Sequence, residues 1–79
     1  MFNLFNPNTK SGKPVELVYD YDSDTAWLTI ETRSGQQYRL KAYGGTAQSL
    51  LRQVKKGVGV IVVQCDPDDP TIITSYYFS

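Results

Sequence analysis

The chain predicts a mainly β fold: a small five-stranded antiparallel barrel or sheet with one helix, in the order β-β-β-α-β-β. Three observations carry this. Apolar and polar residues alternate with a period of two up to Tyr43, the insert GGTAQSLLRQVKKG at 44–57 changes to helical spacing, and extended segments return from Val58 to Phe78. A chain of 79 residues makes one domain with a thin core, since domains of this size bury only about 60% of their unfolded surface. A barrel suits that limit, and so would an obligate homo-oligomer.

The elements follow in order. Residues 1–14, rich in Asn, Pro, Lys and Gly, are expected to form an irregular arm whose Phe2, Leu4 and Phe5 cover one end of the core, with 15–79 as the single barrel domain. Val15–Asp22 places Val15, Leu17, Tyr19 and Tyr21 on one face and Glu16, Asp20 and Asp22 on the other, as a half-buried strand does. Thr25–Thr32 turns Ala26, Leu28 and Ile30 inward and leaves Trp27, Thr29 and Glu31 outward. Gln36–Tyr43 turns Tyr38, Leu40 and Ala42 inward and leaves Gln37, Arg39, Lys41 and Tyr43 outward.

The register of these two strands follows from their turn, because opposed residues in an antiparallel pair share a face. Pairing Ile30 with Tyr38 and Leu28 with Leu40 leaves the three-residue loop Arg33-Ser34-Gly35, whose glycine suits the left-handed position of a bulged hairpin. The outward pairs are then Glu31 with Gln37, Thr29 with Arg39, and Trp27 with Lys41.

Ala47, Leu50, Leu51 and Val54 recur at helical spacing, which predicts a helix over 46–56 with Thr46 as N-cap, Gly57 just past the end, and Lys55 and Lys56 in the last turn. Val58–Cys65 is nearly continuous in apolar residues and reads as a strand covered on both sides, DPDDP forces a turn, and Thr71–Phe78 is the last strand. The inward phase predicts a core containing Leu17, Tyr19, Leu28, Ile30, Leu40, Leu50, Leu51, Val54, Val60 and Val62.

Composition excludes several functions. The 41% hydrophobic content against 20% charged describes a folded domain. There is no His for proton transfer, no spaced Cys pair and no phosphate loop, so an enzyme is not expected, and neither is a cofactor. The single Cys65 lies in an apolar run and reads as a buried structural thiol in a reducing, cytoplasmic setting. No stretch approaches the ~20 apolar residues that span a bilayer, and no leader is evident. Asp20, Asp22, Asp24 and Glu31 mimic the ligand spacing of a calcium loop, but Thr25 stands where glycine is required and the flanks alternate as strands, so an acidic hairpin turn and no metal site is expected.

The net charge is zero, yet Arg33, Arg39, Lys41, Arg52, Lys55 and Lys56 fall in a stretch without acids. On the outward row, Trp27, Thr29, Arg39, Lys41 and Tyr43 form the candidate site. A tryptophan beside two cations can stack a base while the cations meet phosphate, a combination suited to single-stranded nucleic acid. The competing expectation is that the arm or the helix covers Trp27, making it a second small core.

Strand order and one segment also carry a resemblance. AYGGTAQSLLRQVKKGVGVIVVQC, Ala42 to Cys65, resembles the part of bacterial single-stranded-DNA-binding proteins where a strand ends in a glycine turn, a helix follows, and KKG introduces a valine-rich strand. The resemblance implies an OB-like five-stranded Greek-key barrel that binds oligonucleotides through its second and third strands. By strand position it implies contacts at Trp27, Arg39 and Lys41. Two functions are therefore expected to compete: a module for single-stranded nucleic acid, or a small interaction or inhibitor protein, of the kind used as accessory factors by phages and mobile elements, gripping a protein partner with the acidic hairpin or an exposed edge strand.

Overall fold

The computed structural model describes residues 8–79. Five strands and one helix appear in the order β1 (Thr9–Asp20), β2 (Thr25–Glu31), β3 (Gln37–Tyr43), α1 (Gly44–Gln53), β4 (Ile61–Asp66) and β5 (Asp69–Phe78). The strands close into a barrel in the spatial order β1-β2-β3-β5-β4, so the fold is a small OB-like barrel. All neighbours are antiparallel except β3 and β5, which run parallel and meet at Lys41 and Ile72.

The first strand begins at Thr9 and not at Val15, so residues 9–14 belong to the barrel instead of an irregular arm. Phe2, Leu4 and Phe5 lie outside the described residues. The long β1 serves two neighbours: Thr9–Gly12 pairs with β4 and Lys13–Asp20 with β2. At the changeover the β2 backbone comes so close that a Cβ on Gly12 would stand 2.6 Å from the Glu31 carbonyl oxygen, which restricts this position to glycine. A bulge between Pro14 and Glu16 resets the phase, leaving Pro14, Leu17 and Tyr19 opposite the inward residues Ile30, Leu28 and Ala26. Tyr21, expected in the core phase, falls beyond the strand and is 79% exposed, with its ring edge-on to Tyr19 at 4.6 Å.

The β2–β3 register is the expected one at every pair from Glu31–Gln37 to Trp27–Lys41. The Gly35 N–H donates to the Thr32 carbonyl at 3.0 Å with φ +88° at Gly35, and the Thr32 N–H donates to the Gln36 carbonyl at 2.8 Å, closing the three-residue bulged turn.

The helix is set two residues earlier than its sequence signals. It starts directly out of β3 at Gly44 (φ +57°), whose N–H donates to the Asp24 carbonyl at 2.9 Å; Tyr43 occupies the N-cap with no side-chain cap bond, so Thr46 is not the cap. It ends at Val54, extended at ψ 130°, so Lys55 and Lys56 lie beyond it and Arg52 is the cation of the last turn. Ala47 and Leu50 enter the core and Val54 packs against it, while Leu51 faces outward at 39% exposure.

In β4 the expected phase is inverted. The strand starts at Ile61, after a loop with positive φ at Gly57 and Gly59, and buries Ile61, Val63 and Cys65 while Val60 is exposed and Val62 half-buried. Only one side is covered, because Val62 and Gln64 face outward opposite Tyr77 and Ser75 of β5.

The core comprises Ala26, Leu28, Ile30, Leu40, Ala42, Ala47, Leu50, Ile61, Val63, Cys65 and Ile73, with Leu17, Tyr19, Tyr38, Val54 and Tyr76 packed at its margin. Burying each large aliphatic side chain contributes roughly 1.5–3 kcal/mol. Cys65 is a free, buried thiol whose burial pushes its pKa up, as expected of a structural cysteine. Among the described residues no helix is long and apolar enough to cross a membrane.

Candidate functional site

The bulged turn at Gly35 fixes which side chains of β2 and β3 share the outer face. The pairs Trp27–Lys41 and Thr29–Arg39 stand on that face beside Tyr43, which pairs with Thr25. The backbone thus collects all five predicted residues on one surface. Side-chain geometry joins four of them: the Arg39 guanidinium carbon lies 5.3 Å from the Trp27 ring centroid, and the Lys41 ammonium lies 5.6 Å from Trp27 and 6.0 Å from Tyr43. These distances fall within cation–π range. Thr29 enters by register alone, between Arg39 on β3 and Glu16 on β1.

Trp27 is half-buried and Tyr43 exposed. On its β1 side Trp27 pairs with Val18, which is 45% exposed, so the ring sits between an apolar neighbour and two cations. Such a surface offers an aromatic plane for a flat apolar group and positive charge for an anion attached to it.

One carboxylate tempers that charge. The side chain and backbone N–H of Thr71 both donate to Asp69, at 2.6 and 3.1 Å, and hold its carboxyl below the ordinary range; the nearby Lys41 lowers it further. Asp69 is therefore an ionised neighbour that an incoming anion must compete with for Lys41.

The face extends beyond the predicted residues. Lys13 pairs with Glu31 on the outer side of β1, next to Arg33 of the hairpin loop, and these residues line a cleft of about 770 Å³ with Ser11, Thr32 and Val60. Sequence reading missed Lys13 because the proline and glycine around it disguise a strand; the alternation of Ser11 and Lys13 with Gly12 and Pro14 was the available signal. A second, shallower groove of about 560 Å³ lies between α1 and the end of β5, where Ser49 and Tyr76 hydroxyls bond.

The acidic turn is tied to itself. Asp20 accepts from the Asp22 N–H at 3.0 Å and the Ser23 hydroxyl at 3.0 Å, and Asp24, at φ +53°, accepts from the Tyr19 hydroxyl and from Gln48 of α1 at 2.9 Å. Asp24 thereby links the turn to the helix. Among the described residues no cluster of three or more His, Cys, Asp or Glu is arranged to hold a metal ion.

No protein-family model, no curated protein and no solved structure matches this chain.

Proposed function

We propose that the barrel is a non-enzymatic binding module for single-stranded nucleic acid, held on the outer face of β2 and β3. The observation that carries the reading is the approach of both Arg39 and Lys41 to the Trp27 ring, at 5.3 and 5.6 Å. One base stacks on Trp27 and the next reaches Tyr43, while Lys41, within range of both rings, meets the phosphate between them. Thr29 supplies a hydroxyl beside Arg39. Stacking of this kind is sequence-tolerant, since every base has a π-face, and contributes about 1–3 kcal/mol per base. The setting in this reading is a reducing compartment such as the cytoplasm, in keeping with the lone free thiol of Cys65.

Fluorescence anisotropy of a labelled oligothymidylate, followed through a salt series, tests the proposal. Trp27→Ala should weaken binding by about 1–3 kcal/mol at all salt concentrations. Lys41→Ala should weaken it mainly at low salt and flatten the dependence of log K on log salt by about 0.7, the share of one phosphate contact on a single strand. Binding that ignores both substitutions would remove the face from consideration.

A protein partner is the second reading, favoured by Tyr21. Its ring is 79% exposed at the tip of the hydrogen-bonded acidic turn, where an aromatic ringed by carboxylates would suit a basic, partly apolar surface. Capture of a partner that is lost with Tyr21→Ala and kept with Trp27→Ala would favour it. An edge-strand grip has less to work with, because the five strands close on themselves.

A further inference from the structure

We infer that a bound single strand does not stop at Trp27 but continues past Thr29 into the cleft at the far end of the hairpin, where Lys13 and Arg33 take its phosphates. This rests on the proposed binding at Trp27 and adds a second subsite to it.

Register supplies the first argument. Pro14 opposes the inward Ile30, so its neighbour Lys13, opposite Glu31, projects from the same outer face as Trp27 and Thr29. Trp27 and Glu31 are four residues apart on β2, about 14 Å at the rise of an extended strand. A ligand following the strand therefore reaches the cleft within a few nucleotides, well inside the roughly 4–16 that an OB barrel covers.

Charge supplies the second. Both Lys13 and Arg33 are exposed cations beside a cleft of about 770 Å³. The carboxylate at the crossing, Glu31, accepts a hydrogen bond from Gln37 of β3 at 3.1 Å, and β3 flanks β2 on the side away from Lys13. Glu31 is thus drawn toward the opposite rim. The half-exposed Val60 offers an apolar wall to a sugar or base. Glu16, the other acid nearby, pairs with Thr29 from the β1 side, which directs the strand along the Arg39 side before it crosses toward Lys13. A phosphodiester chain fits this run of separated cations; a single small anion would need only one end of it.

The test compares oligothymidylates of about two nucleotides, enough for Trp27 and Tyr43 alone, and of about ten nucleotides on the wild type, on Arg33→Gln, and on the double variant Lys13→Gln/Arg33→Gln. The double variant should bind the longer oligonucleotide roughly tenfold more weakly than the wild type at low salt, with a log–log salt slope shallower by about 1.4, and the single variant should lose about half of each. All three proteins should bind the short oligonucleotide alike and quench Trp27 equally. Equal binding of the longer oligonucleotide by wild type and double variant would overturn the second subsite while leaving the Trp27 site standing. Absence of any binding, short or long, would overturn both, and loss of the short oligonucleotide in the double variant would place the cations in the Trp27 site itself.

Discussion

The β2–β3 hairpin and the stretch from α1 through β4 are built by different kinds of force. In the hairpin, local chemistry decides: Gly35 at φ +88° closes a three-residue turn, and from that turn every pair down to Thr25–Tyr43 follows without a shift. In the second region, partners far along the chain decide. The helix starts where the Gly44 N–H finds the Asp24 carbonyl, and β4 takes its phase from β1 on one side and β5 on the other, with two register irregularities against β5. A surface that must hold side chains in fixed spacing is better served by the first construction, and the candidate site lies there.

The largest effect that would test this contrast lies in the helix. Leu50→Ala should cost about 2–5 kcal/mol in chemical denaturation, the usual range for a cavity left by a buried leucine, whereas Leu51→Ala should cost less than about 1 kcal/mol because its side chain faces solvent. Equal losses would mean that the helix is rotated about its axis from the described orientation.

The phase of β4 comes next. Val63→Thr puts a hydroxyl among buried aliphatic side chains and should cost about 1–3 kcal/mol, while Val62→Thr, half-exposed on the outer face, should stay within about 0.5 kcal/mol. A reversed order would restore the opposite phase.

In the hairpin, Gly35→Ala should cost about 1–2 kcal/mol, the penalty for a Cβ in the left-handed region, and Gly35→Asn less, since asparagine tolerates that region. Nothing crowds the position, so the loss comes from the backbone alone. Thermal melts that leave both variants unchanged would show that the turn does not set the register.

The smallest effect concerns Asp24, the turn residue that precedes β2 and receives hydrogen bonds from Gly44 and Gln48 of α1. The hydrogen bond from Tyr19 to Asp24, together with partial burial and the nearby carboxylate charge, raises the phenol pKa above its ordinary value. A raised folded-state pKa means that the contribution is complete below the unfolded value and is lost as pH rises through the folded one. Wild-type stability should therefore fall above about pH 10, the ordinary phenol range, and Tyr19→Phe should fall less steeply there. Parallel pH profiles for the two proteins would contradict the assignment.

These differences explain what could be read in advance. The outer row Trp27, Thr29, Arg39, Lys41 and Tyr43 was legible because alternation and one turn glycine are both local signals. The phase of β4 was not, because VGVIVVQC has no alternation to read and its first residues form a loop. Leu51 fits a helical apolar stripe as well as Leu50 does, and only docking against the barrel end separates them. Lys13 was hidden for a similar reason. Its strand is specified by pairing with β2 and β4 and not by propensity, since glycine and proline flank it.

The most direct test of the central claim uses Trp27 as its own reporter, since it is the sole tryptophan. Titrating the protein at low salt with an unlabelled single-stranded oligonucleotide should change the tryptophan emission in a saturable way, protect it from an aqueous quencher, and reverse on adding salt. Emission that stays unchanged at saturating oligonucleotide, from a tryptophan already shielded from quencher in the free protein, would contradict the account and assign Trp27 to packing.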